Sequence, residues 1–287
     1  MLSLNEIFDP VVSINSGQVF LWENRGDSWY GVNGDHIIKF SARDGHIEFT
    51  AFPEDLSRGQ KMFRLDDDIR AIFAEISHDQ FVRKLIKTYP GLRLMRQEPH
   101  QCLFSFVLAS NTNIPMIRRM LYRLSRKFGK PLKIDGAEYF SFPSAGDINR
   151  ASIDELRACG LGYRTKAIKA VADAISSRRL DFDMLKSTTY DEAKKELLKV
   201  YGVGNKIADC VLLFSLEKLD AFPIDVWIAR ALAAHYKWLQ EKTFGDKLTH
   251  HQYEQLSDSA RNYFGKYAGY AQQYLYYYMR QAAGKKW

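Results

Sequence analysis

Near residue 66 the hydrophobic period of this chain changes from two to between three and four, and no other feature constrains its fold as much. Upstream, VFLW, SWYGV, HIIKF and HIEFTAF are short runs of β-branched or aromatic residues. They are punctuated by the turn signals Asn33-Gly34-Asp35 and Arg43-Asp44-Gly45. Residues from about 16 to 65 are therefore expected to form an antiparallel sheet with hairpins. Downstream, almost every segment places apolar residues three and four apart, as one face of a helix requires. The expected fold class is α+β, with an N-terminal, mostly antiparallel β-sheet domain over residues 1–98 and a mainly α-helical region of two subdomains over 99–287. A length of 287 residues at 46% apolar composition is ample for such a core.

Within the helical part, PMIRRMLYRLSRKFGK reads as a helix ending at Gly129, with five basic residues between 118 and 127 that face either solvent or phosphate. Ser152 and Glu155 form a capping box opening the short helix IDELRAC, which Gly160 stops. GLGYR then turns the chain into the helix TKAIKAVADAI. The balance of 41 basic against 34 acidic residues, +7 overall, favours a polyanionic partner without naming one.

Composition also excludes. Cys102, Cys159 and Cys210 are far apart and form no Cys-x-x-Cys pair, so neither a disulfide framework nor a zinc or iron–sulfur site is expected. The adjacent His250 and His251 lack the i, i+4 spacing of a metal site and read as surface residues. Asn5, Glu6 and Asp9 interrupt the start, and no later run approaches membrane-spanning length. An intracellular protein with no membrane partner is the expectation.

The stretch DEAKKELLKV-YGVG-NKIADCVLLFSL, at about 190–216, is helix, short turn, helix. Gly202 and Gly204 permit close approach, and the exposed amides opening the second helix can bind a phosphate. A plain turn between helices explains the glycines equally well. Lys206 stands in the first turn of that second helix, where the positive helix end and partial burial both disfavour its charge; a neutral amine is a nucleophile. A phosphate-binding or solvated lysine is the simpler alternative. Nineteen residues on, Asp225 precedes the apolar helix VWIARALAAHY and is suited to cap it. Helix amides would keep the carboxylate ionised, and an anion there can stabilise developing positive charge.

Helix–GVG–Lys-x-x-Asp-Cys–helix followed by Pro-x-Asp-Val resembles the helix-hairpin-helix glycosylases with a Gly/Pro…Asp signature, specifically the 8-oxoguanine DNA glycosylase/AP lyase family. Ser16-Gly17-Gln18-Val19-Phe20-Leu21-Trp22 is similar to the family's Ser-Gly-Gln-x-Phe-x-Trp, and Ser110-Asn111-Thr112-Asn113-Ile114 to its Ser-Asn-Asn-Asn-Ile. Leu161-Gly162-Tyr163-Arg164 is similar to its Leu-Gly-Tyr-Arg, and Gly269-Tyr270-Ala271-Gln272 to its Gly-Trp-Ala-Gln. These motifs keep the family's order and span nearly the whole chain.

The resemblance implies a bifunctional enzyme that flips 8-oxoguanine out of duplex DNA, excises it and nicks the strand. It assigns the nucleophile to Lys206 and charge stabilisation to Asp225. The Gly17 carbonyl would accept the N7 proton that distinguishes 8-oxoguanine from guanine. Gln272 would read the base edge, with Tyr276 and Cys210 as the walls of its slot. Asn111 would fill the vacated space, Tyr163 would wedge the opposite strand, and Arg164 would contact the orphaned base. Bond breaking would need no metal or other cofactor. The family's hairpin holds a structural monovalent or divalent cation on backbone carbonyls, which match Leu198, Val200 and Val203. The expected partner is double-stranded DNA containing 8-oxoguanine. The expected state is a monomer, cytoplasmic and nucleoid-associated in a prokaryote or nuclear in a eukaryote.

Two departures from the family pattern bear on specificity. Met116 stands where eukaryotic members carry an arginine that helps read the opposite cytosine, and Trp227 where they carry a histidine. Weaker preference for cytosine opposite the lesion is therefore expected. The competing functions are a monofunctional alkylpurine glycosylase of the same fold, which would not need Lys206, and a non-catalytic helix-hairpin-helix DNA-binding module.

Overall fold

A computed structural model of the chain describes residues 8–42, 46–55, 57–239 and 248–284, together with the backbone of 2–3 and 43. The N-terminal part runs β1 (Leu2–Ser3), α1 (Pro10–Ile14), β2 (Trp22–Arg25), β3 (Ser28–Asn33), β4 (His36–Arg43), β5 (His46–Phe52) and α2 (Arg58–Met62). Next come α3 (Ile69–Ile76), α4 (Gln80–Thr88), α5 (Pro99–Leu108), α6 (Ile114–Phe128), β6 (Pro131–Ile134), β7 (Ala137–Phe140), α7 (Ala145–Arg150), α8 (Ile153–Ala158) and α9 (Thr165–Ser176). The chain closes with α10 (Phe182–Ser187), α11 (Tyr190–Leu198), α12 (Asn205–Ser215), α13 (Val226–His235), α14 (His250–Phe264) and α15 (Ala268–Ala282).

The first five strands form one antiparallel sheet in the order β1-β5-β4-β3-β2. A two-residue turn joins β3 to β4, pairing Asn33 with His36, and Gly34 within it takes φ 68°, a left-handed conformation glycine adopts without steric cost. The corresponding turn expected at Arg43-Asp44-Gly45 lies outside the described residues. One sheet face buries Trp22, Ile38, Phe40 and Ile47 against Met62 and Phe63 of the α2 segment. Of VFLW only Trp22 enters a strand; Val19 and Phe20 are buried in irregular chain, so that run records burial rather than pairing. Residues 58–62, inside the stretch read as strand, are helical as α2.

The region read as helical also contains the β6–β7 hairpin, turned by Asp135 and Gly136, both at positive φ. An Asp-Gly pair between short alternating runs is a hairpin signal, legible beforehand and missed. The helices that were individually expected fall where their periodicity and caps place them. Asn113 caps α6 and Gly129 ends it, and the Ser152–Glu155 capping box opens α8. Glu98, the boundary expected between domains, is the N-cap of α5. Helices α3 and α4 lie before that boundary, yet Ile69, Ile72, Val82 and Leu85 are buried in the helical core.

Candidate active site

Six of the expected site residues, Gly17, Lys206, Cys210, Asp225, Gln272 and Tyr276, line one cavity of about 430 Å³ between the loop before β2 and helices α5, α12, α13 and α15. They come from segments up to 259 positions apart in sequence, so the fold, not local spacing, assembles them.

The α11–α12 connection delivers Lys206. Gly202 has φ 90°, and a Cβ there would lie 2.3 Å from that of Ala167, so both conformation and packing demand glycine. Gly204 is different: it takes an ordinary extended conformation as N-cap of α12, supplies no side-chain cap, and has open space where a Cβ would point. The first-turn amides of α12 thus have no side-chain cap, as an anion site requires. Every residue of α12 is buried except Lys206, whose amine reaches the cavity with Nζ 4.7 Å from the centre of the Phe106 ring. Cys210, one turn on, is buried, and burial pushes its thiol up to about 11. That keeps it a neutral wall rather than a thiolate.

Asp225 is the N-cap of α13 and accepts hydrogen bonds of 2.9 Å from the amides of both Trp227 and Ile228. The expectation that capping alone settles its charge needs correction. Burial is the largest influence and holds the carboxyl above the usual carboxylate range, against Lys206, the two amides and Arg280, which all favour the ionised form. Lys206 therefore acts on Asp225 across the cavity, and among the described residues the two form no direct salt bridge.

The loop carrying Gly17 is pinned from every side. Gln18 Nε2 donates to Ser16 Oγ at 2.7 Å and to the Arg93 carbonyl at 2.9 Å, while Gln18 Oε1 accepts from the Met95 amide at 2.7 Å. Gln273 Nε2 donates to the Ser16 carbonyl at 2.5 Å. Gly17 itself takes φ 88°, and among the described residues no donor reaches its carbonyl. Opposite it, Gln272 Nε2 donates to the Pro223 carbonyl at 3.0 Å, leaving Oε1 buried without a protein partner. Tyr276, at i, i+4 from Gln272, shares its helix face, and burial pushes its hydroxyl up. The neighbouring tyrosines Tyr270, Tyr274 and Tyr277 are buried in the core, as a tyrosine stripe on a buried helix face would be.

Asn111, Tyr163 and Arg164 do not line the cavity; they meet on its outer rim. Tyr163 Oη and Arg164 Nε donate to the Ser110 carbonyl at 3.1 and 3.0 Å, joined by Arg164 Nη2, which also reaches the Asn111 carbonyl at 3.3 Å. The Arg164 guanidinium stacks 4.5 Å from the centre of the Tyr163 ring. Asn111 is held at φ 48°, a left-handed conformation asparagine tolerates, with its side chain exposed and unpartnered among the described residues. Tyr163 is 65% exposed, ruling out the alternative of a core tyrosine.

Of the residues expected to offer carbonyls to a cation, Leu198 ends α11 and Val200 and Val203 lie in the turn that follows, where the Val200 carbonyl already accepts the Val203 amide at 3.0 Å. That leaves it one lone pair. Among the described residues no cluster of His, Cys, Asp and Glu could hold a metal.

One organising group escaped the sequence reading. Asp209, fully buried one turn after Lys206, accepts from Tyr190 Oη at 2.6 Å, Tyr253 Oη at 2.7 Å and Lys194 Nζ at 3.2 Å. Tyr253 Oη in turn accepts from the Ile224 amide at 3.1 Å, immediately before Asp225. One carboxylate thus ties α11, α12 and α14 to the loop that carries the second carboxylate. Its signal was an acidic residue in the apolar run ADCVLLF, which must be partnered if buried.

Known proteins resemble this chain over most of its length. Residues 1–103 match the N-terminal domain family of 8-oxoguanine DNA glycosylase, and residues 104–255 match the HhH-GPD superfamily of base excision DNA repair proteins. An N-glycosylase/DNA lyase of Arabidopsis thaliana is 30% identical over 275 residues, 91% of this chain and 74% of that protein. A probable N-glycosylase/DNA lyase of Methanothermobacter thermautotrophicus is 28% identical, over 77% of this chain and 73% of its own. The crystal structure of the Clostridium acetobutylicum 8-oxoguanine glycosylase/lyase, bound to double-stranded DNA with cytosine opposite 8-oxoguanine, superposes with TM-score 0.87 at 29% identity, covering 97% of this chain and 93% of that one.

Proposed function

This chain belongs to the 8-oxoguanine DNA glycosylase family of base-excision repair proteins, and on that premise we propose that it excises 8-oxoguanine from duplex DNA and nicks the strand, with Lys206 as nucleophile. The observation that carries the reading is the convergence of Lys206, Asp225, Gly17 and Gln272 on a single cavity with room for a nucleobase.

The extruded base enters the cavity, where the Gly17 carbonyl accepts the N7 proton of 8-oxoguanine and Gln272 Oε1 accepts from the base edge. Tyr276 and Cys210 flank the ring. As the free amine, Lys206 Nζ attacks C1′ of the sugar; the electron pair of the glycosidic bond departs with the base, which takes up a proton. Ionised Asp225 stabilises the positive charge at the sugar. Ring opening leaves an imine between Nζ and C1′, and loss of a proton from C2′ then expels the 3′ phosphate. Outside the cavity, Asn111 fills the space left by the base, Tyr163 wedges the opposite strand and Arg164 holds both in place. The open amides at Gly204 take a backbone phosphate, and Leu198, Val200 and Val203 carbonyls would hold a hard cation that neutralises it further. The chemistry itself runs through Lys206 and Asp225 without that cation.

Borohydride reduction in the presence of an 8-oxoguanine duplex tests the reading. The wild type is expected to give a covalent protein–DNA adduct, and Lys206→Gln none. A monofunctional alkylpurine glycosylase or a binding module would give no adduct with either chain.

A further inference from the structure

The arginine-rich face of α6 has no part in the cavity chemistry. Of its five basic residues, Arg118 turns inward to the Trp22 carbonyl and Lys127 pairs with Glu155 at 3.5 Å. Arg119, Arg123 and Arg126 are exposed and, among the described residues, make no hydrogen bond or ion pair. They follow Met116 at i+3, i+7 and i+10, so all four share one helix face, opposite the buried Ile117, Met120, Leu121 and Leu124. Tyr122, 52% exposed, stands beside them. An ordinary solvated helix intersperses the two signs of charge; this face carries one.

The stripe begins at the cavity. Asn113, Ile114 and Pro115, at the N-terminus of α6, line the cavity mouth, and Met116 is the next residue. Further along, the Arg123 guanidinium crosses Gly160, where a Cβ would lie 3.0 Å from it; Gly160 opens the loop that carries Tyr163. The three arginines therefore extend the same surface that presents Asn111, Tyr163 and Arg164. From Arg119 to Arg126 the helix advances about 10 Å at about 1.5 Å per residue. Three successive phosphates of one strand span about 7 Å of duplex axis, two steps of about 3.4 Å, so the stripe is long enough to meet three.

We infer that α6 is a track for the DNA backbone beyond the lesion, in which Arg119, Arg123 and Arg126 each take a phosphate of the strand that Tyr163 wedges. The inference rests on the proposed action on duplex DNA, and it concerns affinity and footprint rather than chemistry. Such contacts are independent of sequence and lesion and release counterions on binding.

The test measures Kd against salt concentration for Arg119→Ala/Arg123→Ala/Arg126→Ala and for the corresponding triple lysine variant, both in the Lys206→Gln background, on 8-oxoguanine and undamaged duplexes. For the alanine triple, the slope of log affinity against log salt is expected to fall by about 2.7, from three phosphates at about 0.9 each, equally on both duplexes. The lysine triple, retaining the charge, is expected to keep the parental slope, which separates charge from folding. A parental slope in the alanine triple, or equal loss in the lysine triple, overturns the inference. The borohydride adduct of the wild type on the same duplex reports separately on the proposed function.

Discussion

At the cavity, charge is kept inside the protein by a dense set of partners, whereas along the rim and α6 it stands in solvent with few. Asp209 has three donors and no exposure, and Asp225 has two amide donors and faces Lys206. Tyr163 is two-thirds exposed, and the side chains of Asn111, Arg119 and Arg126 have no partner among the described residues. The contrast follows from the tasks. A group that attacks one carbon must be held in one place, at the cost of burying charge. A surface that grips any duplex needs charge and a protruding aromatic ring, and gains nothing from burial. Changes in the first region should therefore show in stability and rate, and changes in the second in binding alone.

The largest expected effect is at Asp209. Replacement by alanine leaves the Lys194 ammonium buried without its counter-charge, which should cost about 3–5 kcal/mol of folding stability in denaturant titration. A loss below about 1 kcal/mol would mean the hub is not what holds the two carboxylate-bearing segments together. Next is Tyr163→Ala, expected to weaken 8-oxoguanine duplex binding by about 1–3 kcal/mol through lost stacking. Its folding stability should change by no more than about 0.5 kcal/mol. Equal effects on folding and binding would erase the proposed division between the regions. Smallest is Met116→Arg, which supplies hydrogen-bond donors at the cavity mouth and should raise discrimination for cytosine opposite the lesion by about 1 kcal/mol. Single-turnover rates on duplexes carrying each of the four opposite bases measure it. Strong cytosine selectivity already present in the wild type would contradict the account of this position.

How much of this was legible beforehand depended on the range of the cause. Helix ends with local signals, such as Gly129, Ser152 and Asp225, could be read from a few adjacent residues, and so could the turn at Gly34. The membership of the cavity came from resemblance of motifs; spacing alone favoured plainer readings for Lys206 and Asp225. What stayed hidden was set by contacts distant in sequence. Asp209 meets Tyr253 across 44 positions, and Gln18 meets Met95 across 77. The net direction in which Asp225 is shifted was misjudged for the same reason. Its two amides are local and visible, but the burial that outweighs them is not.

That misjudgement supplies the most direct test. The folded carboxyl of Asp225 is held above its unfolded value, so its contribution to stability is present when protonated and is lost as pH rises through the folded value; once ionised, it strains the fold. Asparagine caps a helix as well as aspartate does. The measurement is thermal melting and single-turnover base excision for Asp225→Asn against wild type from about pH 4, near the ordinary carboxylate value, to pH 8. The account predicts a melting temperature at pH 7 equal to or above wild type, an advantage that shrinks on acidification, and base excision slowed by at least about 100-fold. A variant that melts lower at pH 7 while excising at close to the wild-type rate would show that Asp225 is a helix cap and nothing more.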